Sequence, residues 1–385
     1  MKILVATVCS LLASASAAMA QAPPAAAPVV PQAETSGVLP MAPVTARWIY
    51  VLDSWTSGAR VFDGDTGKMK GLVDVSNLGD IGFDPLGRYY YASETIWSKT
   101  DRGIRQDLVS IWDKTTLKLL GEVPVPGRLL GGTTTANFAV STNGKLAFVY
   151  ALAPSSSVHV VDLDKRKLQQ TVQLPGCAAI FPDGADSLGA LCADGTMATI
   201  SITDGKSKVA RTAPFFDAEE DPVFDIIPVD RARERAVFLS YTGKIYTAAL
   251  GATPKIDAPF SIQVAGGLHP AVAAPLDVNW VPGGSQPLAV DYVNNRLYVL
   301  MHVGEQWSHK EPGAEVWVVD LATHKVVQRH STPGKAMNIQ VSQEASPLVY
   351  LSGDMKVWVL DGATLESKKT IEHTGGGTLF VWDRS

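Results

Sequence analysis

The chain has 385 residues and carries 33 basic against 38 acidic side chains. It has no basic stripe, which argues against nucleic-acid binding. Beyond the N-terminus no segment approaches the roughly 18 uninterrupted apolar residues of a membrane-spanning helix, so the charge and hydropathy patterns indicate neither a nucleic-acid partner nor a membrane protein.

The N-terminus has the three parts of a secretory signal peptide. Lys2 is followed by an apolar run over residues 3–12 and by the small-residue sequence Ala18-Met19-Ala20. We predict that residues 1–20 are the signal peptide, cleaved after Ala20, and that the protein is exported to the periplasm. Residues 21–44 are rich in Pro and Ala, which predicts a flexible arm because little apolar surface can be buried there.

One sequence pattern recurs along the rest of the chain: an alternating apolar strand that ends in Asp, a short turn and a second strand. Clear copies are centred on Asp63, Asp113, Asp162, Asp320 and Asp361, and weaker copies contain Asp204 and Leu250. Period-two alternation with Asp, Gly and Thr in the turns is typical of β-hairpins. Further strand pairs precede these hairpins, so each unit offers about four strands.

Seven units of about 49 residues fill the chain, a period typical of propeller blades. We therefore predict an all-β fold over residues 45–385: a seven-bladed β-propeller with four-stranded antiparallel blades. The first unit lacks an innermost strand, and the C-terminal segment 377–383 offers a spare one. We expect that segment to complete the first blade and close the ring, which removes open sheet edges.

One unit carries an insertion over residues 252–286. Long insertions in a propeller fall on loops at one face and often make contacts, although a loop that merely covers a blade is equally compatible. We expect the insertion to lie on the same face as the loop after the first strand, and that face to meet a partner.

Three cysteines are present, and Cys9 lies in the predicted signal peptide. The remaining pair, Cys177 and Cys192, would be placed in an oxidising compartment, which favours a disulfide over two buried free thiols.

Little in the sequence predicts catalysis. The seven histidines are scattered, and none lies beside Cys or carboxylates at ligand spacing, so we predict neither a catalytic residue nor a metal site in this chain. Tryptophans at repeat-related strand positions are expected to pack between blades: Trp112, Trp317, Trp358 and Trp382. Those near loops are candidates for an interface or for packing: Trp55, Trp97, Trp280 and Trp307.

Several extended stretches resemble the heavy subunit of the amine dehydrogenases, the family that contains methylamine dehydrogenase and aromatic amine dehydrogenase. They are RWIYVLDS from Arg47, TDRGIRQDLVSIWDKTTLKLLGEVPVP from Thr100, PGCAAIFPDGADSLGALCADGTMATI from Pro175, the run from Asn279 to Asp320, and MNIQVSQEASPLVYLSG from Met337. The resemblance spans about Arg47 to Asp383. It favours neither methylamine nor an aromatic amine as the substrate.

The resemblance implies a subunit of an enzyme that oxidises a primary amine to an aldehyde and ammonia. Two heavy and two light subunits would assemble, and the light subunit would carry tryptophan tryptophylquinone and the catalytic base, leaving this chain without a cofactor. Electrons would pass to a periplasmic blue copper protein such as amicyanin or azurin. In this family the loop after the first strand reaches the active-site entrance, so the resemblance implies that Trp55 lines the substrate channel.

Two other functions remain compatible with the sequence. A stand-alone periplasmic propeller could bind protein or ligand without redox chemistry, and no gene for a small disulfide-rich subunit would then be its neighbour. A hydrolase or lactonase propeller would need acidic or histidine ligands converging on the central channel, and the predicted inner strands supply few of them.

Overall fold

The computed structural model describes residues 41–52, 57–76, 78–131 and 135–382. The predicted signal peptide, residues 1–20, and residues 21–40 of the predicted arm lie outside this part. The described residues form thirty strands and one short helix, and no helix among them has the length and hydropathy needed to cross a bilayer.

The first fifteen strands follow one another in the order β1 (Trp48–Leu52), β2 (Ala59–Asp63), β3 (Met69–Val73), β4 (Asp80–Phe83), β5 (Tyr89–Lys99), β6 (Arg102–Asp113), β7 (Leu119–Val125), β8 (Phe138–Val140), β9 (Leu146–Ala151), β10 (Ser157–Asp162), β11 (Lys167–Gln173), β12 (Cys177–Pro182), β13 (Ser187–Cys192), β14 (Met197–Thr203) and β15 (Lys206–Arg211). The second half of the chain contains β16 (Val229–Asp230), β17 (Arg235–Leu239), β18 (Lys244–Ala249), β19 (Lys255–Ile256), β20 (Phe260–Ser261), α1 (Ile262–Ala265), β21 (Asn279–Pro282), β22 (Leu288–Asp291), β23 (Arg296–Gly304), β24 (Gly313–Asp320), β25 (Lys325–Ala336), β26 (Asn338–Val341), β27 (Leu348–Gly353), β28 (Lys356–Asp361), β29 (Ser367–Ile371) and β30 (Thr378–Val381).

These strands form seven antiparallel sheets, the blades of a β-propeller, as the sequence predicted. Blades 2, 3, 4 and 7 take four consecutive strands each, and blades 5 and 6 each gain a fifth strand from the insertion. Blade 1 is completed by β30, which pairs with β1 from Ile49↔Val381 to Leu52↔Thr378. The ring is therefore closed by the C-terminal strand, which confirms the predicted closure.

Seven hydrophobic clusters lie between neighbouring blades, one at each junction of the ring. Successive residues of a strand point to opposite faces of the sheet, so each blade contributes alternate side chains to its two neighbours. Tyr90 packs with Tyr50 towards blade 1, whereas Tyr91 packs with Phe138 towards blade 3. This two-sided burial explains why the apolar alternation in the sequence is incomplete in the central strands.

The recurring Asp residues end the third strand of their blades and stabilise the following turn. Asp320 Oδ1 accepts hydrogen bonds from the backbone N–H groups of Ala322 and Thr323, both at 2.9 Å. The same pattern occurs at Asp63, Asp113 and Asp361. Because the backbone N–H of Thr323 bonds the charged form, the pKa of Asp320 is held below its usual value. An Asp at this position therefore specifies the hairpin turn.

Candidate functional site

The blades place one set of connections on a common face, which we call the upper face. At this face the second strand of every blade, counted from the central axis, joins the third. The connections are residues 53–58, 100–101, 152–156, 193–196, 240–243, 305–312 and 354–355. The first of them contains Trp55, which lies outside the described residues, although the strand ends Leu52 and Ala59 on either side are described.

The insertion also lies at the upper face. Its strand β20 pairs with the start of β18, through Lys244↔Ser261, and β21 pairs with the end of β23, through Asn279↔Gly304. Both pairings fall at the end of the blade where the second and third strands join. The insertion therefore lies on the face where the described strand ends that flank the first loop, Leu52 and Ala59, also lie.

The insertion is firmly anchored to blades 5 and 6. Gln263 is completely buried, and its Nε2 donates to the carbonyl oxygens of Thr242 at 2.8 Å and Trp280 at 2.6 Å. The Trp280 ring packs 5.6 Å from that of Trp317, and the guanidinium of Arg329 lies over both rings. The surface of the insertion is thus held in place by a cation–π cluster and by a buried amide.

Exposed apolar side chains are concentrated on this insertion and on the neighbouring part of blade 6. We call them the insertion patch: Val264, Leu268, Val272, Leu276, Val278, Val303 and Trp307. Leu276 is 82% exposed and Trp307 is 52% exposed. Single exposed apolar residues need no explanation, but a concentration on the insertion and the part of blade 6 beside it is typical of a surface that meets a partner.

The segment 305–312, which we call the Trp307 loop, carries an aromatic cluster. The His309 ring stacks on Tyr241 with centroids 3.9 Å apart, and the Trp307 ring meets Tyr241 edge-on at 6.0 Å. The side-chain amide of Gln306 donates to the carbonyl oxygen of Glu220 at 3.2 Å. Trp307 has a φ of 69°, a backbone conformation that a bulky side chain rarely adopts.

A two-stranded ribbon extends from blade 2 on the same face. Strands β5 and β6 continue pairing to Lys99↔Arg102, whereas the pairing with β4 ends at Ser93 and the pairing with β7 ends at Asp107. Ile104 on this ribbon is 77% exposed. Blade 2 lies three positions from blade 5 in one direction and three from blade 6 in the other. The ribbon and the insertion patch therefore stand on opposite sides of the ring.

A buried ion pair supports the base of the ribbon. Arg128 Nη2 donates to Asp80 Oδ2 at 2.8 Å, and the two side chains are 1% and 2% exposed. The same guanidinium also donates to Ser93 Oγ at 3.1 Å and to Thr95 Oγ1 at 3.2 Å, both on β5. Nearby, burial raises the pKa of the Glu94 carboxyl, which accepts from the backbone N–H of Ser76 at 2.7 Å. This network fixes the direction in which the ribbon leaves the blade.

A cavity of about 190 Å³ occupies the central channel and is lined from all seven blades. Its wall is mainly apolar and includes the rings of Phe83, Phe138, Phe181 and Phe380. Among the residues that the structure describes, no three His, Cys, Asp or Glu side chains are grouped so that they could hold a metal ion.

Cys177 and Cys192 form a disulfide, as the sequence predicted. They are directly paired across the adjacent strands β12 and β13, and both are buried. The disulfide therefore joins the two inner strands of blade 4 rather than two blades.

The tryptophans divide between packing and surface roles. Trp317, Trp358 and Trp382 are buried in the blades, and Trp112 stacks on Tyr90 with centroids 5.8 Å apart, so all four pack as predicted. Of the loop candidates, Trp280 packs against Trp317, whereas Trp307 is half exposed. In the sequence only the position of Trp307 near a loop points to an exposed role, and no pattern distinguishes the exposed apolar residues of the insertion from packed ones.

The fold and the upper face define a seven-bladed propeller with an anchored apolar surface. The sequence model of the family described as methylamine dehydrogenase heavy chain matches residues 45–381. The chain therefore belongs to the methylamine dehydrogenase heavy chain family. It is 29% identical to the methylamine dehydrogenase heavy chain of Methylorubrum extorquens, over 91% of this chain and 86% of that one. It is 30% identical to the heavy chain of the same name from Methylobacillus flagellatus, over 81% and 78% respectively.

Solved structures share the fold at much lower sequence identity. A periplasmic gluconolactonase of Pseudomonas aeruginosa superposes with a TM-score of 0.58 at 16% identity, over 86% of this chain and 98% of that one. The dihydro-heme d1 dehydrogenase NirN superposes with a TM-score of 0.53, also at 16% identity, over 89% and 70%. At this identity the likeness extends to the propeller architecture alone.

Proposed function

We propose that this chain is the large subunit of a periplasmic amine dehydrogenase that oxidises a primary amine to an aldehyde and ammonia. Membership of the methylamine dehydrogenase heavy chain family supports the reaction class and implies a light-chain partner. In this proposal the signal peptide is cleaved after Ala20, and a periplasmic copper protein takes the electrons. The stand-alone binding propeller and the lactonase are the competing functions that the experiments below can reveal.

The role that we assign to this chain is to hold the light subunit on its upper face. The insertion patch is the observation that carries this assignment, because exposed apolar side chains are concentrated between Gln263 and Trp280, which anchor the insertion, and on the part of blade 6 beside them. The ribbon of blade 2, on the opposite side of the ring, would limit the orientations in which the light subunit can bind. An interface with a buried aromatic anchor such as Trp307 is typical of stable subunit contacts.

We further propose that Trp55 contributes to the substrate entrance. The supporting observation is positional: the strands that flank its loop, β1 and β2, meet at the upper face, where the insertion also lies. A light subunit bound at this face would then have its active-site entrance beside the loop. Replacing Trp55 with Ala is expected to change the selectivity among amines of different size, measured as the ratio of kcat/KM values.

The quinone of the proposed enzyme belongs to the partner, and the tryptophans described in this chain do not fit such a group. The ring contact between two tryptophans is that of Trp280 and Trp317, with centroids 5.6 Å apart. Arg329 covers both rings, and Trp317 Nε1 donates to Glu315 at 2.8 Å, so this pair stabilises the insertion. When bound in the partner, the quinone would supply the two-electron oxidation of the amine.

The docking assignment can be tested with a matched pair of substitutions. Leu276→Asp places a charge in the insertion patch, whereas Leu86→Asp places one at a 62% exposed site between β4 and β5, on the opposite face. In a host that expresses the whole gene cluster, we expect the tagged Leu276→Asp chain to lose at least about tenfold of the co-purifying light subunit, since burying an unpaired charge costs several kcal/mol.

The Leu86→Asp chain should retain the light subunit at the wild-type ratio. Equal retention by both variants would contradict the docking assignment while leaving the enzymatic role standing. Absence of any small subunit with the wild-type chain would contradict the enzymatic role itself and favour the stand-alone propeller.

A further inference from the structure

Two histidines lie next to the exposed Trp307 side chain: His302 is buried and contacts the Trp307 loop through Ser308, and His309 is partly buried. His302 is near the end of β23 and is 6% exposed, and His309 lies within the Trp307 loop itself. The Nδ1 atoms of both rings are buried and have no hydrogen-bond partner among the described residues. Buried polar atoms without a partner are uncommon in folded proteins, so two of them beside one loop call for an explanation.

The hydrogen bonds around His302 determine which of its nitrogens carries the proton. The Ser308 hydroxyl donates to the carbonyl oxygen of Glu305 at 2.6 Å, so its oxygen accepts from His302 Nε2–H at 2.9 Å. In the neutral ring Nδ1 then has a lone pair and no proton. It faces Gly283, where even a Cβ atom would overlap with it. A second proton on Nδ1 would therefore be buried against backbone.

His309 is surrounded by aromatic rings. Its ring lies 3.9 Å from Tyr241, with 19° between the ring planes, and the Trp307 ring meets it at 6.4 Å. Phe224 packs on the other side of the cluster, 6.2 Å from His309. A charged imidazole in this aromatic setting would lose part of its hydration.

The charged groups that face the two rings do not cancel the effect of burial on the pKa values of the two histidines. Burial lowers the pKa of His302, and the nearby Glu311 carboxylate raises it by less. Burial also lowers the pKa of His309; Lys310 and His302 act in the same direction, and a backbone hydrogen bond with Trp307 opposes them by less. The chain before blade 5 contributes Asp225, beside Tyr241, and Glu220, whose carbonyl oxygen accepts from Gln306, and the segment under His302 contributes the uncharged Gly283. Both histidines are thus neutral at pH 7.

We propose that the Trp307 loop is an acid-operated switch, in which neutral His302 and His309 hold Trp307 on the upper face and their protonation releases the loop. The left-handed backbone of Trp307 makes the closed conformation strained, so it depends on the contacts beneath it. A charge on either ring removes those contacts because the ring must reach water. This inference concerns the chain itself and does not depend on the proposed enzymatic role.

The direction of the pH dependence follows from the lowered pKa values. A histidine whose pKa is lower in the closed loop than in the open one stabilises the closed loop fully above about pH 6.5. That stabilisation is lost as the pH falls below 6.5 towards the pKa of the closed state. At pH 5.5 the opening equilibrium rises by up to about tenfold for each histidine.

Hydrogen exchange of the full mature chain, followed by mass spectrometry on peptides covering residues 302–313, tests the switch. After correction for intrinsic exchange rates, we expect protection of these peptides to fall between pH 7.5 and pH 5.5, by up to about tenfold for each histidine. The double variant His302→Gln/His309→Phe, which keeps a donor and a stacking ring but cannot be charged, should lose this dependence. The control His330→Gln, at an exposed site of the same blade, should retain it.

Equal protection of the wild-type loop at both pH values would overturn the proposal. So would a pH dependence that persists in the double variant. If the double variant does not fold, His309→Phe alone should lower the change in protection to about that of one histidine, and an undiminished change in this variant would count equally against the switch.

Discussion

Arg128 and Asp80 form a deeply buried ion pair, with 2.8 Å between Arg128 Nη2 and Asp80 Oδ2. Their charges are tolerated because Arg128 also donates to Ser93, Thr95 and the carbonyl oxygen of Leu78. Such a pair contributes little net stability compared with an apolar pair, but it strongly penalises the loss of one partner. Because the pair lies at the base of the ribbon, the loss of one partner would also change the geometry of the upper face.

Arg128→Ala should therefore lower the free energy of unfolding by about 3–5 kcal/mol, since Asp80 would be left buried and uncompensated. Urea unfolding followed by fluorescence measures this change. The matched control is Arg211→Ala, which breaks an exposed pair with Asp194, at 36% and 55% exposure, and should cost below about 1 kcal/mol. Equal effects at the two sites would contradict the account of the ribbon base.

The sequence could predict residue roles only where a repeat supported them. Trp317 and Trp358 occupy equivalent strand positions, so packing was predictable, and both are buried. Trp307 and Trp280 both lie near loops in the sequence, yet one is half exposed and the other is clamped under Arg329. That difference depends on which strand β21 joins, a contact between residues more than twenty positions apart.

At the scale of elements, the third-to-fourth-strand hairpins share one turn. The residue four positions after the Asp has a positive φ in five blades: Gly67, Leu117, Arg166, His324 and Leu365. Its N–H bonds the carbonyl of the Asp in most of them, as in Leu365 to Asp361 at 2.8 Å. The Asp was a reliable sequence signal, but the left-handed residue was not, because only one of the five is Gly.

Gly67→Ala should lower the free energy of unfolding by about 1 kcal/mol, because Ala is strained at a φ of 71° and its Cβ would approach Lys369 at 2.8 Å. The reciprocal change Arg166→Gly, at the equivalent turn of blade 3, relieves a φ of 51° and should stay within about 0.5 kcal/mol of the wild type. Thermal unfolding of both variants measures the difference. A larger loss at residue 166 than at residue 67 would contradict the assignment of a common turn.

The short strands and the helix of the insertion could not be predicted from the sequence. The existence of the insertion and its face could be predicted from the repeat length, but β20, α1 and β21 could not, since their lengths are two to four residues and they carry no periodicity. Their placement depends on contacts with blades 5 and 6, through Gln263 and Trp280. The propeller itself was predictable because its repeat is reinforced seven times.

At the scale of the whole molecule, ring closure decides whether blade 1 has four strands. β30 supplies its innermost strand, and Gln286 from the connection into blade 6 bonds the backbone of Leu379 in both directions, at 2.9 and 3.0 Å. Without β30 the edge of β1 would be unpaired, and two of the seven interblade clusters would lose buried residues.

Deletion of residues 377–385 should therefore yield an aggregated or unfolded chain, whereas deletion of residues 383–385 alone should leave a folded one. Size-exclusion chromatography and circular dichroism of the two purified chains distinguish these outcomes. A folded, monodisperse chain after the longer deletion would show that the ring does not need its closing strand.

The central claim is that this propeller works as the large subunit of an amine dehydrogenase. The most direct measurement is the visible absorption spectrum of the tagged chain purified from the periplasm of a host that expresses the whole gene cluster. We expect a co-purifying small subunit whose quinone absorbance bleaches when a primary amine is added. A colourless propeller that purifies alone from such a host would contradict the claim.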